Sequence, residues 1–251
     1  MFTSYSKLAT EVYDIDKPVG HSFGDIEFYR ERLRECTGRI LEPAVGSGRL
    51  LIPLLEAGLT VDGMDNSPEM LASCRARCQE RRLAPLLYKE NMQDFSLPHK
   101  YEAIIVPAGS FMLLEKRDDS LAALQCFYDH LLPGGRLLLD LELQTDFDMH
   151  ASSTKTWQTP DGAVITMEAR LVEVDFLNQY TVTYLKYEKW RDGQLVQTEL
   201  QRFPLRWYGV EEFKLVLEHI GFTDIVISSN YEFGRAPKSA SDCLTFEAYR
   251  R

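Results

Sequence analysis

The sequence has 251 residues, 45% of them hydrophobic, with a formal net charge of −10. This length is typical of one domain that carries an elaboration, or of one and a half domains. An acidic chain without a basic block argues against nucleic-acid binding. Its one basic cluster (Arg75, Arg77, Arg81 and Arg82) is interpreted as a solvated helix face. No apolar run approaches the roughly 20 residues of a membrane span, so we expect no membrane insertion.

The first residues and the cysteines indicate where the protein resides. Residues 1–10 are polar and lack the apolar core of a signal peptide. The five cysteines have no metal-like spacing, and Cys74 and Cys78, one helical turn apart, have no further ligands nearby in the sequence. We therefore expect a reduced, cytoplasmic protein without a metal site.

Two helices are predicted before the first strand. Five residues share one face of the first helix: Tyr5, Leu8, Ala9, Val12 and Tyr13. A turn-rich segment over residues 14–24 follows, and residues 25–36 have a second helical pattern with Tyr29 on its apolar side. These helices precede the part of the sequence that resembles a nucleotide-binding fold.

A strand, a glycine turn and a helix follow one another from Arg39 onward. The strand ends at Glu42, the turn contains Gly46 and Gly48, and residues 50–57 are predicted as a helix. A dinucleotide site would place a third glycine where this chain has Leu51, which argues against NAD. Asp65 ends the next predicted strand, nineteen residues after Gly46, where a ribose-binding acid is expected.

The elements then alternate between strand and helix as far as residue 142. Ser67 and Pro68 form a helix start signal. The remaining predictions are strands over residues 86–90, 103–106 and 136–142, a helix over 118–132, and a turn over 132–136. The residues that follow the fourth strand, 107–111, are expected to line a ligand site, because ligands bind beyond the carboxyl ends of parallel strands.

The pattern changes after the fifth strand. Apolar and polar residues alternate between Lys155 and Trp207, and the Asp-Gly pairs at 161–162 and 192–193 predict hairpins. A helix over 210–219 ended by Gly221 and strands over 223–228 and 243–249 complete the pattern. We predict three segments: a core with its N-terminal helices (1–144), an inserted antiparallel sheet (145–208) and the end of the core (209–251).

Three ordered motifs resemble those of the class I S-adenosylmethionine-dependent methyltransferases. They are the stretch from Glu42 to Gly48, the stretch from Asp65 to Leu71, and the Leu-Pro-Gly-Gly-Arg turn at 132–136. The resemblance covers about residues 39–142 and is stronger than one glycine corner alone. It implies an α/β, Rossmann-like seven-stranded sheet of order 3-2-1-4-5-7-6, with helices on both faces and an antiparallel cap.

The resemblance also implies S-adenosylmethionine as cofactor and a set of residues that bind it. The cofactor-binding set is Tyr29, Glu42, Ala44, Gly46, Gly48, Arg49, Asp65, Asn66, Met70, Asn91, Met92, Gln93 and Pro107. Asn91 stands where the family has an acid that faces adenine, and an amide oxygen is able to accept from the adenine amino group. In the family such N-terminal helices close over the cofactor, so Tyr13 and Tyr29 are candidates to contact it; the alternative is that both tyrosines only pack.

The acceptor side is predicted from the inserted sheet. Its aromatic residues and the acidic chain favour a small organic acceptor, and the layout is similar to N-methyltransferases of the amino-sugar type. The acceptor-site candidates are Phe111, Tyr180, Tyr184 and Trp207, and the candidates for a general base are Tyr13, His21 and His150. Methyl transfer is an in-line displacement that depends mainly on orientation, and a base is needed only for a hydroxyl or ammonium acceptor.

Two other functions are compatible with parts of this pattern. One is a non-catalytic protein that binds S-adenosylmethionine and uses the inserted sheet as a partner surface. The other is a nicotinamide-dependent oxidoreductase, against which the missing third glycine argues. The sheet's aromatic residues also allow a dimer interface, so we expect a monomer or a homodimer.

Overall fold

The computed structural model describes residues 5–251 and contains two separate β-sheets. The helices are α1 (Lys7–Asp16), α2 (Asp25–Leu33), α3 (Leu51–Glu56), α4 (Pro68–Glu80), α5 (Arg117–His130) and α6 (Val210–Ile220). The strands are β1 (Arg39–Pro43), β2 (Thr60–Asp65), β3 (Leu87–Lys89), β4 (Tyr101–Val106), β5 (Leu131–Glu142), β6 (Ser152–Gln158), β7 (Val164–Asp175), β8 (Tyr180–Arg191), β9 (Gln194–Arg206), β10 (Phe222–Ser229) and β11 (Cys243–Arg250). A short 3₁₀ turn covers Ser110–Leu113. In the described part of the chain, no helix is long and apolar enough to cross a bilayer.

The larger sheet has seven strands in the order β3-β2-β1-β4-β5-β11-β10. The pairs from β3 to β5 are parallel, and β11 runs antiparallel to both of its neighbours. This confirms the predicted order 3-2-1-4-5-7-6. The order reverses between β1 and β4, and this reversal creates the crevice in which doubly wound sheets bind ligands.

Helices cover both faces of this sheet because its central strands are apolar on both sides. Leu41 of β1 and Ile104 of β4 pack in one core with α5 and α6, while Ile40 and Ile105, their neighbours in sequence, pack in a second core with α2, α3 and α4. Successive side chains of a strand point to opposite faces, so continuous apolar runs produce two cores.

Local signals place two of the helix ends as predicted. The hydroxyl of Ser67 accepts a hydrogen bond from the N–H of Met70 at 3.1 Å, and Pro68 is the first residue of α4. Gly221 ends α6 with a φ of +115°, a left-handed conformation that favours glycine.

The start of the fifth strand differs from the prediction. β5 begins at Leu131 instead of Arg136, because Leu131 already pairs with Tyr101 of β4 across an irregular register. Gly135 lies where the two strands approach closely. A Cβ there would lie 3.0 Å from the carbonyl oxygen of Glu102 on β4. The Pro-Gly-Gly stretch therefore forms an irregular part of the strand rather than a turn that precedes it.

The smaller sheet, which we call the cap sheet, is antiparallel with the order β6-β7-β8-β9. The predicted hairpin at 192–193 is present, and both residues have the positive φ that a two-residue turn of this type requires. The cap sheet lies within the segment predicted as an insertion, and the exact limits of that segment remain a prediction.

Helix α1 packs on the cap sheet through Leu8, Ala9 and Val12, which meet Ile165 and Tyr187 in a small apolar core. The N–H of Leu8 donates to the carboxylate of Glu199 at 2.8 Å, so a residue of β9 caps the helix.

The other side of α1 is bound to the core. The Asp14 carboxylate on that side accepts a hydrogen bond from the hydroxyl of Ser73 at 2.6 Å and forms an ion pair with Arg77 at 3.0 Å. Helix α1 thus joins the cap sheet to α4 of the core.

Candidate active site

A cavity of about 230 Å³ lies beyond the carboxyl ends of β1 to β4, with the core on one side and α1 and the cap sheet on the other. Its core side is formed by Ala44, Gly46, Asp65, Asn66, Met70, Glu90, Asn91, Met92, Gln93, Ala108, Ser110, Leu113 and Leu114. Its outer side is formed by Tyr5, Tyr13, Lys17, Gln201, Arg202, Phe203 and Pro204. The cavity therefore occupies the position at which this kind of sheet binds its ligand.

The glycine corner after β1 gives the cavity one of its walls. Ala44, Gly46 and Gly48 all have φ between +54° and +86°, and this left-handed backbone turns the chain sharply back towards α3. A Cβ on Gly48 would lie 2.9 Å from the sulfur of Cys74, so glycine at this position lets α4 pack against the corner. Gly48 supports the wall, whereas Gly46 lines it.

Asp65, the last residue of β2, presents a fixed carboxylate to the cavity. One oxygen accepts the N–H of Gly46 at 2.9 Å and the other accepts the N–H of Ser67 at 2.8 Å. Burial raises the pKa of this carboxyl, and the backbone donors partly offset that effect. Each oxygen still has capacity to accept a hydrogen bond from a ligand.

Glu42 is a second acid beside the corner, and it differs from Asp65 in lacking partners. It is 2% exposed, and its Oε2 atom has no hydrogen-bond partner among the described residues. Burial raises the pKa of Glu42 to about 8, although the charge of Arg49 opposes this. A buried acceptor without a donor is costly, so this oxygen suits a ligand that brings a donor or a positive charge.

Arg49 was predicted to bind the cofactor, but its side chain binds other residues of the protein. Its guanidinium pairs with the buried carboxylate of Asp25 on α2, and its Nη1 also donates to the carbonyl of His21 at 2.8 Å. The side chains of both charged residues are at most 4% exposed. Arg49 therefore fixes α2 and the preceding turn beside the glycine corner, and it does not line the cavity.

Lys17, at the end of α1, is a cation that the sequence reasoning missed. It lines the cavity, and its Nζ lies 5.3 Å from the ring centre of Tyr13 and 5.8 Å from that of Phe23. No carboxylate within the described part of the chain forms an ion pair with it. Burial and the charge of Arg49 lower the pKa of Lys17, which is the response of a cation that an incoming anion would stabilise.

Most of the predicted cofactor residues meet at the cavity, and five do not. Ala44, Gly46, Asp65, Asn66, Met70, Asn91, Met92 and Gln93 line it, whereas Tyr29, Glu42, Gly48, Arg49 and Pro107 do not. Tyr29 is fully buried and donates to Asp140 at 2.9 Å, which directs its hydroxyl into the core. Pro107 is replaced in the lining by Ala108, the next residue along the loop.

The predicted acceptor residues lie outside the cavity. Phe111 is fully buried in an aromatic cluster with Phe127, Tyr208 and Phe213, because the 3₁₀ turn directs it inward. Tyr180 donates to Glu173 on the neighbouring strand, and Tyr184 is likewise absent from the lining. Trp207 packs instead with Phe147 and Phe176.

The cap sheet reaches the cavity through the end of β9 instead. Residues 201–204 line it, and Arg202 forms a bidentate ion pair with Glu115, which follows the 3₁₀ turn. Arg206 donates to the carbonyl of Glu115 at 2.8 Å, so two arginines of one strand hold this edge of the cap sheet to the core. Alternation along β9 indicates its two faces, but it does not indicate which end of the strand meets the core.

Of the three base candidates, only Tyr13 lines the cavity. His21 contacts Phe23 at a ring distance of 4.8 Å, and His150 is exposed in the segment before β6. Burial raises the pKa of Tyr13, so its phenol stays protonated at neutral pH. Within residues 5–251, no cluster of histidine, cysteine, aspartate and glutamate is arranged to hold a metal ion.

The fold and the cavity together define an α/β protein that binds a nucleotide-containing cofactor at the switch point of its sheet. A family model described as a methyltransferase domain matches residues 40–135. The chain is 22% identical over 218 residues to the putative methyltransferase YqeM of Bacillus subtilis, covering 85% of this chain and 84% of that protein.

Two further matches are to sugar-modifying proteins. A dTDP-3-amino-3,6-dideoxy-alpha-D-glucopyranose N,N-dimethyltransferase of Streptomyces fradiae is 28% identical over 141 residues, 54% of each chain. The X-ray structure of the sugar N-methyltransferase KedS8 from Streptoalloteichus superposes with a TM-score of 0.74 at 21% identity, covering 100% of this chain and 97% of the other.

Residues 40–135 therefore match a methyltransferase domain, and the findings together support a class I S-adenosylmethionine-dependent methyltransferase. S-adenosylmethionine is its cofactor, and the residues at the cavity fit that molecule. Lys17, which lines the cavity, suits the carboxylate of the cofactor's methionine part. The unpartnered Oε2 atom of Glu42, which is buried beside the glycine corner and outside the cavity lining, suits a donor such as the ammonium of that part. Neither the non-catalytic alternative nor the oxidoreductase is favoured by these findings.

Proposed function

We propose that this enzyme transfers a methyl group from S-adenosylmethionine to the nitrogen of a small amine that binds between the glycine corner and β9. The observation that carries the proposal is the cavity itself, which combines a carboxylate that the cofactor does not use, Glu90, with the aromatic side chains of Tyr5, Tyr13 and Phe203. A carboxylate accepts a hydrogen bond from the N–H of a neutral amine, and aromatic faces pack against apolar rings. The similarity to proteins named as sugar N-methyltransferases supports the same class of acceptor.

Different residues bind the different parts of the cofactor. Asp65 accepts from the ribose hydroxyls, and residues 91–93 contact the adenine. Glu42 and Lys17 receive the ammonium and the carboxylate of the methionine part. When bound, S-adenosylmethionine supplies a methyl group on a positively charged sulfur, and the protein's task is to hold the acceptor nitrogen in line with that bond.

The acceptor nitrogen attacks as a neutral amine. Neither His21 nor His150 lines the cavity, and Tyr13 has a raised pKa that keeps it a neutral phenol. A phenol of this kind orients a substrate through its hydroxyl and is a poor base at neutral pH. The proton that the product ammonium carries is then released to solvent.

The size of the cavity limits the acceptor. Its volume of about 230 Å³ lies below the roughly 300–1,000 Å³ of many small-molecule sites, and the cofactor bound along Asp65 and residues 91–93 takes up part of that space. Helix α1 and β9 close its outer side, which leaves no open groove for a folded protein or a duplex nucleic acid. We therefore propose a small acceptor such as an amino sugar or an amino acid.

A panel experiment tests this function. The protein is incubated with S-adenosylmethionine labelled in its methyl group and with amino sugars, amino acids, phenols and carboxylic acids. The label is expected to appear on nitrogen in at least one amine. Label found only on oxygen would contradict the N-methyl assignment. Binding of S-adenosylhomocysteine with no transfer to any compound would favour the non-catalytic function.

Phe203 on β9 is expected to matter for the acceptor. Phe203→Ala removes an aromatic wall, and we expect the KM of the amine to rise about tenfold, equivalent to about 1.4 kcal/mol. The affinity for S-adenosylhomocysteine is expected to change less than about threefold, because no residue of β9 is among those assigned to the cofactor.

Phe176→Ala is the matched control for Phe203→Ala. Phe176 is also a phenylalanine of the cap sheet region, but it is 66% exposed and lies outside the cavity. Its substitution should leave both constants unchanged. An unchanged KM in Phe203→Ala would remove β9 from the acceptor site. Phe176 also packs with Phe147 and Trp207. Light scattering of the unmodified protein and of Phe176→Ala therefore distinguishes the predicted monomer from a homodimer that uses these side chains as its interface.

A further inference from the structure

Asp140, near the end of β5, is a fully buried carboxylate that takes no part in the scheme above. Its Oδ1 atom accepts from the hydroxyls of Tyr29 at 2.9 Å and Thr245 at 2.7 Å. Its Oδ2 atom accepts from the N–H of Ala108 at 2.9 Å and from the hydroxyl of Tyr231 at 3.1 Å. No arginine or lysine of the described residues forms an ion pair with it.

The four donors come from four different parts of the fold. Tyr29 belongs to α2, Thr245 to β11, Ala108 to the loop after β4, and Tyr231 to the connection between β10 and β11. An ionised carboxylate has about four acceptor positions, and here all of them are filled. The carboxylate is thus the point at which these elements are joined, and only its ionised form is able to accept from all four.

One of these donors lies at the wall of the cavity. Ala108 and Ser110 line the cavity, and Ala108 has a φ of +53°, a left-handed conformation that is unfavourable for a residue with a Cβ. Gly109 continues in the same region with a φ of +68°, and the N–H of Ser110 returns to the carbonyl of Pro107 at 3.2 Å. The hydrogen bond from Ala108 to Asp140 offsets the cost of this conformation.

We propose that ionised Asp140 is a positioning residue for methyl transfer, which holds the loop from Ala108 to Ser110 in the shape that aligns the acceptor. Asp140 touches neither the cofactor nor the acceptor, and it acts through the backbone of Ala108. The functional part of this inference rests on the methyl transfer proposed for the cavity. The structural part, that the charge of Asp140 holds the loop, stands independently of it.

Protonation is expected to release the loop. A protonated carboxyl must donate its own hydrogen and has fewer acceptor positions, so one of the four donors loses its partner. Burial raises the pKa of Asp140 to about 6, even though the four donors favour the charged form. The ionised form is therefore lost as pH falls through about 6. Because this pKa lies above that of an unfolded aspartate, the contribution of Asp140 to the free energy of unfolding decreases as pH rises from about 4 to 6.

The two tyrosines and the cysteine around Asp140 keep their protons near pH 6. Burial raises the pKa of Tyr29 and of Tyr231, and it raises the pKa of Cys243, whose sulfur contacts Tyr231, to about 12. Two carboxylates, Asp25 and Glu142, act on this region through their charge from α2 and from the end of β5. Asp140 is the carboxylate in direct contact with Ala108, so a change at the Ala108 amide reports on it.

The amide of Ala108 provides a test that needs no acceptor. In ¹⁵N-labelled protein, its proton resonance is expected to shift with a midpoint near pH 6. Tyr231→Phe removes one donor from the charged form, so the midpoint should move up by about 0.5–1 pH unit. Tyr249→Phe is the matched control, because the Tyr249 hydroxyl donates to Glu247 on the same strand and does not contact Asp140. An Ala108 amide that does not titrate, or equal midpoints in all three proteins, overturns the inference.

The rate of methyl transfer supplies the second readout. With an amine identified by the panel, kcat at saturating substrates should fall below about pH 6, and Tyr231→Phe should move this limb upward with the Ala108 midpoint. Asp140→Asn, which cannot ionise, should lower kcat at least tenfold and remove the limb. If the Ala108 amide titrates and kcat does not change over the same pH range, the positioning role is refuted. If no amine is methylated, the proposed function fails, and the amide titration still decides whether Asp140 holds the loop.

Discussion

Replacing Asp65 with alanine is expected to weaken the binding of S-adenosylhomocysteine at least tenfold. The Asp65 carboxylate lies at the cavity, where it is oriented by the N–H groups of Gly46 and Ser67. Two charge-assisted hydrogen bonds to the ribose hydroxyls contribute roughly 1.5–3 kcal/mol each, and tenfold in affinity corresponds to about 1.4 kcal/mol. Calorimetric titration measures the loss directly.

Asp62→Asn is the control for this substitution. Asp62 is also buried on β2, but its carboxylate pairs with Arg39 at 3.0 Å and does not line the cavity. This variant should lose some stability and keep its affinity for S-adenosylhomocysteine. An unchanged dissociation constant in Asp65→Ala would remove Asp65 from the cofactor site.

Replacing Arg49 with methionine is expected to destabilise the fold by about 3–5 kcal/mol. Methionine retains much of the side chain's length but leaves the Asp25 carboxylate, which is 0% exposed, without its cation. The free-energy cost of a buried charge without a partner is far larger than the stabilisation that the intact ion pair contributes. Urea unfolding, followed by circular dichroism, gives the difference in the free energy of unfolding.

Two further variants show whether burial of the charge is the cause. Arg34→Met removes an ion pair with Glu31 in which both side chains are more than 60% exposed, and we expect a loss below about 1 kcal/mol. The double variant Asp25→Asn with Arg49→Met removes both charges and should recover part of the lost stability. A loss in Arg49→Met as small as that in Arg34→Met would contradict this account of the pair.

The parts of the fold that the sequence predicted are those that depend on local chemistry. The apolar runs that contain Leu41 and Ile104 predicted buried central strands, and the Ser67-Pro68 pair predicted the start of α4. The glycine corner and Asp65 were predicted from their spacing, because a turn between a strand and a helix involves only neighbouring residues. The order of the seven strands followed from the resemblance to a family.

The site residues that lie outside the cavity are positioned by contacts between residues far apart in the chain. The position of Arg49 beside the glycines predicted a cofactor contact, but its partner Asp25 lies on a different helix. Tyr29 was expected at the cofactor, yet its hydroxyl is taken by Asp140, 111 residues later. Neither partner produces a periodic signal that a single sequence reveals.

The cap sheet shows the same limit. Alternation predicted its strands, and the Asp-Gly pair at 192–193 predicted one of its turns. Tyr180, Tyr184 and Trp207, predicted as acceptor residues, do not line the cavity, because the side of the sheet that meets the core is decided by α1 and by the Arg202–Glu115 pair. The orientation of an inserted sheet is a tertiary property that its own strand pattern does not contain.

The most direct test of the central claim is a calorimetric comparison of two ligands on the unmodified protein. If the cavity at the glycine corner is an S-adenosylmethionine site, S-adenosylhomocysteine binds with micromolar affinity and NAD shows no binding under the same conditions. Heat of binding from NAD together with none from S-adenosylhomocysteine would contradict the account.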